Sequence, residues 1–168
     1  MDSTENWFAG DGFATILAAI IGALFVVGGY FIQQGFVRRR HRAEIYSEAV
    51  RAVEEYMEAP FLIRRRDGTL LAQREITNHI SDVQSRLAYY QAQLSIYAAQ
   101  SIARSYSSVV KAARREAGGA MTAAWRASPT RKGKKVPVGA RYSRKETDQA
   151  LTLLVKQMRQ DVYRPRNR

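Results

Sequence analysis

The feature that most constrains this chain is an uncharged stretch of 20 residues, 13–32, with the sequence FATILAAIIGALFVVGGYFI. A helix rises ~1.5 Å per residue, so a helix of this length spans ~30 Å, the hydrocarbon thickness of a bilayer. A core helix of a globular protein keeps a polar face, whereas this run offers only Thr15. A cleaved signal peptide needs positive charge before its apolar segment, and residues 1–12 contain no Lys or Arg. The sequence therefore predicts a transmembrane helix over 13–37.

The distribution of charge predicts the orientation of that helix. All 27 lysines and arginines follow residue 37, and basic residues that flank a span stay on the cytoplasmic side. We therefore expect a short extracytoplasmic tail, 1–12, and a cytoplasmic remainder, in a single-pass protein of the inner (cytoplasmic) membrane. A basic patch is predicted at the inner interface, where it either contacts membrane lipid or serves only as a topology signal: Arg38, Arg39, Arg40, His41 and Arg42.

The cytoplasmic part is predicted to be all-α, a small helical bundle built around an antiparallel helical hairpin. Residues 38–127 contain a stalk helix and that hairpin. In the stalk, Tyr46, Val50, Val53 and Met57 recur at 4-3-4 spacing, which is typical of an amphipathic helix with a mostly acidic opposite face. Pro60 is predicted to end the stalk helix because proline lacks the backbone N–H.

A second helix is predicted from about residue 70 to residue 97. Small residues lie opposite its apolar positions, which predicts a second contacted face, although a merely solvated face is the alternative. After residue 97 the apolar pattern resumes one residue out of step, so a turn is expected at 98–101; a single long bent helix is the alternative. Gly118-Gly119 predicts a kink or a helix end. The apolar seam of this second helix follows a 4-3-4-3-4-3 spacing, as in a coiled coil: Ile76, Ile80, Val83, Leu87, Tyr90, Leu94 and Tyr97.

The last part of the chain is predicted to be a basic loop, 128–143, followed by a C-terminal helix and basic tail, 144–168. Ser143 and Glu146 match the S-x-x-E pattern of a capping box, which marks the start of a helix. A stripe of buried apolar residues is expected along this helix: Leu151, Leu154, Val155, Met158 and Val162.

Two stretches of the cytoplasmic part carry a resemblance. EIYSEAVRAVEEYMEAPFLIRRRDG and GGAMTAAWRASPT, in a chain rich in Arg and Ala, resemble uncharacterised single-span membrane proteins of high-GC actinobacteria and their phages. The resemblance covers the cytoplasmic part and implies no activity.

Catalytic and metal-binding signatures are missing from the sequence. The chain has no cysteine, which excludes disulfides, thiolate metal sites and thiol nucleophiles. It contains no G-x-S-x-G, G-x-x-x-x-G-K-[ST] or G-x-G-x-x-G motif. Glu75 and His79 form a single i, i+4 pair, which is most simply an ordinary surface pair. We therefore expect no enzyme activity, no cofactor, no metal and no small-molecule substrate.

Clusters of positive charge are the strongest functional signal. They predict contacts either with an external anionic partner or with the acidic face of the stalk. The expected function is that of a membrane-tethered, non-enzymatic interaction or scaffold protein with a protein partner or self-association. One alternative is a binder of anionic lipid or, less favoured, of nucleic acid; another is an envelope or phage accessory protein that oligomerises through Ala14, Ala18 and Gly22. The candidate contacts with an anionic partner are Arg64, Arg65, Arg66, Arg131, Lys132, Lys134, Lys135 and Arg141.

Overall fold

The computed structural model describes residues 7–130 and 142–163, without the side chains of residues 7–15, 17, 18, 31, 32, 35 and 38. This part of the chain is entirely helical, which confirms the predicted all-α class. The helices are α1 (Trp7–Arg64), α2 (Leu70–Tyr97), α3 (Gln100–Arg126) and α4 (Lys145–Tyr163). The chain divides into two compact units, Met1–His41 and Arg42–Arg168.

The first unit consists of the beginning of α1. The side chains described in its uncharged run are mostly exposed, among them Leu24 at 66%, Phe25 at 77% and Val26 at 73%. Within the part of the chain that the structure describes, no helix has the length and hydropathy required of a membrane span. The transmembrane helix over 13–37 therefore stays a prediction.

In the second unit, α1 and α4 run in opposite directions. Near the start of this unit, the Arg42 guanidinium and the Tyr46 hydroxyl both donate to the Asp161 carboxylate close to the end of α4, at 3.1 and 2.8 Å. Farther along α1, the Glu54 carboxylate accepts two hydrogen bonds from Arg144, which directly precedes α4. These two attachments can form together only if the helices are antiparallel.

Helix α3 runs in the same direction as α1. Near its start, the Tyr106 hydroxyl donates to the Ala49 carbonyl at 3.4 Å; near its end, the Ala124 carbonyl accepts from Arg66, just after α1. Helix α2 connects these two helices and contacts α1 through Arg86 and Glu55. The second unit is therefore a four-helix bundle whose helices alternate in direction, which confirms the predicted helical bundle.

The predicted apolar faces form the core of this bundle, with two exceptions. In α1, Tyr46, Val53 and Met57 are buried and Val50 is half-buried, as expected. Tyr97 is 57% exposed, so its place in the α2 seam is wrong: α2 ends at this residue, and the turn at Ala98–Ala99 leads the chain away. The other seam residues are buried or half-buried: Ile76, Ile80, Val83, Leu87, Tyr90 and Leu94.

Val155 is the second exception, because its side chain is 46% exposed. The buried stripe of α4 instead begins one turn earlier, at Thr147, and passes through Leu154 and Met158. Successive positions on one face of a helix are three or four residues apart, and Val155 directly follows Leu154, so it points about 100° away from the stripe.

Two predicted helix ends are also wrong. Pro60 lies inside α1, which continues to Arg64. The proline removes one backbone hydrogen bond, but its side chain is fully buried in the bundle, where packing offsets that loss. Gly118 and Gly119 lie inside α3, because the apolar face of that helix continues beyond them to the buried Met121 and Ala124. A helix end there is therefore wrong, while the alternative of a kink stays a prediction.

Replacing Gly119 by alanine is expected to stabilise the bundle. A Cβ atom at this position would meet no other atom within 4 Å, and alanine restricts the unfolded chain more than glycine does. The free energy of unfolding should rise by about 0.5–1 kcal/mol, measurable by urea denaturation of the full-length protein. Gly68→Ala is the matched contrast: φ is +89° there and the new Cβ would lie 2.9 Å from Pro129 Cβ, so stability should fall. A loss of stability in Gly119→Ala would mean that α3 does not continue through this position as an ordinary helix.

Candidate interaction surfaces

Three consecutive arginines at the end of α1, Arg64, Arg65 and Arg66, have different environments. Arg66 is 6% exposed, and its guanidinium donates hydrogen bonds to four backbone carbonyls. One acceptor is Ile63 in the last turn of α1, at 2.9 Å. The others lie at the end of α3: Ala124 at 2.8 Å, Trp125 at 3.0 Å, and Ala127.

Arg66 therefore joins the carboxyl ends of two helices. The last carbonyls of a helix lack partners within it and carry partial negative charge, so a buried cation is favourable there. The guanidinium also lies over the Trp125 ring, with Cζ 5.0 Å from the centroid, an attractive cation–π geometry. The assignment of Arg66 to an external anionic partner is thus corrected, because its side chain is buried and both terminal nitrogens of its guanidinium already donate to this chain's own carbonyls.

After α3, the chain returns to the end of α1 at Thr130, which contacts the backbone on both sides of Arg65. The Thr130 hydroxyl donates to the Arg64 carbonyl at 2.9 Å, and the Thr130 amide donates to the Arg66 carbonyl at 3.0 Å. The Arg65 side chain is exposed. The other predicted anionic contacts lie outside the described residues: Arg131, Lys132, Lys134, Lys135 and Arg141.

Residues on both sides of 131–141 attach to α1. Arg144 forms a salt bridge with Glu54 at 2.8 Å, and the Tyr142 hydroxyl donates to the Met57 carbonyl. Burial raises the pKa of Tyr142 to about 12. Arg144, the first residue of the predicted C-terminal segment, thus binds the stalk helix through Glu54. Pairing between the basic loop and the acidic face of the stalk stays a prediction, because the loop's basic residues lie outside the described residues.

That acidic face is itself used within the bundle. Glu55 binds Arg51 on α1 and Arg86 on α2. Burial favours the neutral form of Glu55, but the hydrogen bonds and charges of these two arginines outweigh it and lower its pKa. A carboxylate that bridges two helices in this way contributes to packing rather than to an external contact.

The start of α4 is capped by a glutamate from α3. Both Glu116 carboxylate oxygens accept backbone amides there, from Glu146 at 2.9 Å and from Thr147 at 3.0 Å. The predicted capping box is therefore wrong. In such a box the Ser143 hydroxyl would accept a hydrogen bond from the Glu146 amide, but that amide donates to Glu116. Arg144 occupies the position before the first turn, since its carbonyl accepts from Asp148.

The hydrogen bonds at this cap change the acidity of Glu116. Burial alone would raise its pKa, but hydrogen bonds from Thr147 and Glu146, together with the positive charge of Arg115, lower it below the ordinary value of 4.5. The folded state therefore favours the carboxylate form, which is also the form suited to a helix N-terminus.

The predicted juxtamembrane patch divides between the two units. In the first unit, the side chain of Arg38 lies outside the described residues, Arg39 is half-buried, and Arg40 and His41 are exposed. In the second unit, Arg42 forms a salt bridge with Asp161 at 3.1 Å.

Several basic side chains of the second unit remain exposed. On α4, Lys156 and Arg159 line a shallow groove of about 480 Å³ with Gln160 and Tyr163. The small-residue face predicted for α2 ends at Ala99, which is half-buried beyond the helix. The members of this face that lie within α2 are exposed: Asn78, Ser81, Ser85, Ala88, Ala92 and Ser95. Among the described residues, no group of three or more histidine, aspartate or glutamate side chains is arranged to hold a metal ion.

Comparison with known proteins returned no match among protein-family models, curated proteins or solved structures. The resemblance to single-span actinobacterial membrane proteins accordingly stays a prediction.

Replacing Arg66 by lysine is expected to destabilise the protein although the charge is kept. An ammonium group has three donors on one atom and cannot reach both helix ends or stack flat on Trp125. Leaving buried carbonyls unpaired should lower the free energy of unfolding by about 2–4 kcal/mol, measurable by urea denaturation. Arg65→Lys, at the exposed neighbouring position, is the control and should change stability by less than about 0.5 kcal/mol. Equal effects of the two variants would contradict the role assigned to Arg66.

Replacing Glu116 by glutamine is expected to weaken the dependence of stability on acid pH. Because the folded-state pKa is lowered, the carboxylate contributes stability above pH 4.5, and this contribution is lost as pH falls through the folded-state pKa. Glu116→Gln should therefore lower stability at neutral pH by about 0.5–2 kcal/mol and have a smaller effect below that range. Thermal unfolding across the pH range measures both. Glu75→Gln, on the exposed side of α2, should leave the profile unchanged; the same profile for both variants would refute the cap.

Proposed function

We propose that this protein is a membrane-tethered, non-enzymatic interaction protein. Residues 13–37 would anchor it in the cytoplasmic membrane, and the four-helix bundle of the second unit would hold a protein partner, or a second copy of the chain, at the inner face. Tethering raises the local concentration of the partner without any chemical step.

The observation that carries this proposal is the contrast between the two units. The second unit buries its own core, whereas the described apolar side chains of the first unit are exposed around the helix. Exposed apolar area on this scale is unfavourable in water. A bilayer would cover it on every side, and the uncharged run 13–32 is long enough to reach across one.

Charge supports the proposed orientation. Every lysine and arginine follows residue 37, and the charged side chains that precede the uncharged run are all acidic. This asymmetry favours an N-terminus outside and a bundle in the cytoplasm.

The exposed small-residue face of α2 supports a protein partner. Ser85, Ala88 and Ala92 lie along it, and short side chains let another helix approach closely. Nucleic-acid binding through the arginines at the end of α1 is less well supported, because Arg66 is occupied by helix ends. We therefore favour a helical partner docked against α2.

Cysteine labelling of the cysteine-free chain tests the anchor and its orientation. Ser3→Cys should react with a membrane-impermeant maleimide in intact cells, whereas Ser128→Cys, exposed in the second unit, should react only after lysis. Leu24→Lys combined with Val27→Lys should release the protein from the membrane fraction, because each charge near the centre of a span costs about 3 kcal/mol. The matched control, Leu153→Lys, changes an exposed residue of α4 and should not.

The same design tests the partner surface. A photo-crosslinker attached to Ala92→Cys should give one discrete adduct whose mass identifies a partner or a second copy. Ser108→Cys on the exposed side of α3 is the comparison and should give none. A correctly inserted protein without an adduct at Ala92 would overturn the scaffold function, while release of the wild-type protein by alkaline washing would overturn the anchor.

A further inference from the structure

One end of the four-helix bundle lies where the chain enters it from the first unit. Asp161, near the end of α4, binds Arg42 and Tyr46, the first residues of α1 in this unit. Tyr106, two turns into α3, reaches Ala49. The α2–α3 turn and the last turns of α4 therefore lie at the same end as Arg42. We call this end the entry face and define it by Ile96, Tyr97, Arg104, Lys156, Arg159 and Tyr163.

The entry face exposes large apolar and aromatic side chains. Ile96 is 72% exposed, Tyr97 57% and Tyr163 74%. Tyr97 belongs by spacing to the α2 seam, yet the bundle does not cover it. Tyrosines at the edge of an apolar surface suit a membrane interface, where the ring is buried and the hydroxyl stays wet.

The same face carries positive charge that the bundle does not neutralise. Arg104, Lys156 and Arg159 are exposed, and none of them forms a salt bridge within residues 7–130 and 142–163. Arg42 is neutralised by Asp161, and Glu44 is an exposed acid nearby.

We propose that the entry face docks against anionic lipid headgroups. The inference rests on the proposed membrane anchor, because the chain passes from that anchor into the bundle at Arg42, which belongs to this end and not to the other. Lys156 and Arg159 border the 480 Å³ groove beside Tyr163, which is open enough to admit a phosphate-bearing headgroup. Arg104 and the two tyrosines extend the contact across the end of the bundle.

Distance separates this face from the arginines at the opposite end. The part of α1 from Arg42 to Arg64 is about 33 Å long at 1.5 Å per residue, and charges interact over about 8 Å at physiological salt. When the entry face contacts an anionic lipid surface, Arg65 is therefore too far from that surface to interact with it, whereas Arg159 is close to it. The lipid contact is thereby reassigned from the arginines at the end of α1 to the entry face.

The test uses the full-length protein in liposomes of phosphatidylcholine, with or without about one-third phosphatidylglycerol. An environment-sensitive fluorophore on Ser101→Cys, at the exposed start of α3, reports docking through quenching by headgroup-labelled lipid. The same fluorophore on Ser128→Cys reports the opposite end. Quenching at Ser101 should appear only with anionic lipid and should disappear in about 1 M salt, where charges interact over about 3 Å.

Charge variants supply the matched comparison. Each Lys or Arg at an anionic surface is worth about fivefold in affinity, so Arg104→Gln/Lys156→Gln/Arg159→Gln should lower the ratio of docked to undocked protein about 100-fold. Arg65→Gln/Arg74→Gln/Arg126→Gln removes the same charge from exposed positions at the other end and should change the ratio less than about twofold. Unchanged helical content and melting temperature, measured for both variants, exclude unfolding as the cause.

Each outcome decides the proposal. Equal quenching in neutral and anionic liposomes, equal effects of the two triple variants, or quenching at Ser128 instead of Ser101 would overturn it. Flotation with neutral liposomes distinguishes failure of the docking from failure of the anchor. Wild-type protein that floats, but shows no quenching at Ser101 in anionic liposomes, would refute the docking and leave the anchor intact. Protein that does not float would refute both.

Discussion

The buried guanidinium of Arg66 is the contact on which one end of the bundle depends. Removing an arginine from water costs several kcal/mol unless its donors are satisfied, and here no carboxylate supplies the compensation. Instead, carbonyls from the ends of α1 and α3 accept its hydrogen bonds, and the Trp125 ring stacks against it. The two terminal nitrogens of the guanidinium thereby supply donors to carbonyls at both helix ends, so the two ends depend on the same side chain.

The entry face is organised by a different kind of contact. There the Asp161 carboxylate accepts one hydrogen bond from Arg42 and one from Tyr46. These hydrogen bonds align α4 with the beginning of α1 in the second unit. The two ends of the bundle thus differ in the partner of their best-anchored arginine: Arg66 is buried against helix carbonyls at one end, whereas Arg42 pairs with a carboxylate at the entry face. The proposed orientation at a membrane depends on the second of these ends, because the chain enters the bundle there.

Local patterns predicted most of the helices and little of their contacts. Helix α2 follows the predicted 70–97 because its seam repeats regularly and the slip after residue 97 marks a turn. The predicted ends at Pro60 and at Gly118-Gly119 were wrong because packing farther along each helix outweighs a local penalty of a few kcal/mol or less. The all-α class and the bundle followed from periodicity alone.

Sequence patterns could not identify the residues that matter most in the candidate surfaces, and the reason is physical. Arg65 and Arg66 are adjacent in one run of three arginines, and only the tertiary fold distinguishes the buried arginine from the exposed one. Glu116 and Asp161 act on helices more than 25 residues away in sequence, beyond the reach of a capping-box pattern. A signal was nevertheless present, since Glu116 is the one acid in the otherwise basic helix α3.

Helix α4 is attached to the bundle at both of its ends, by Asp161 to α1 and by the Glu116 carboxylate of α3 at its first amides. None of these attachments passes through residues 131–141. A protease that cut the chain within that segment would therefore leave α4 held by the same side chains that hold it in the intact protein.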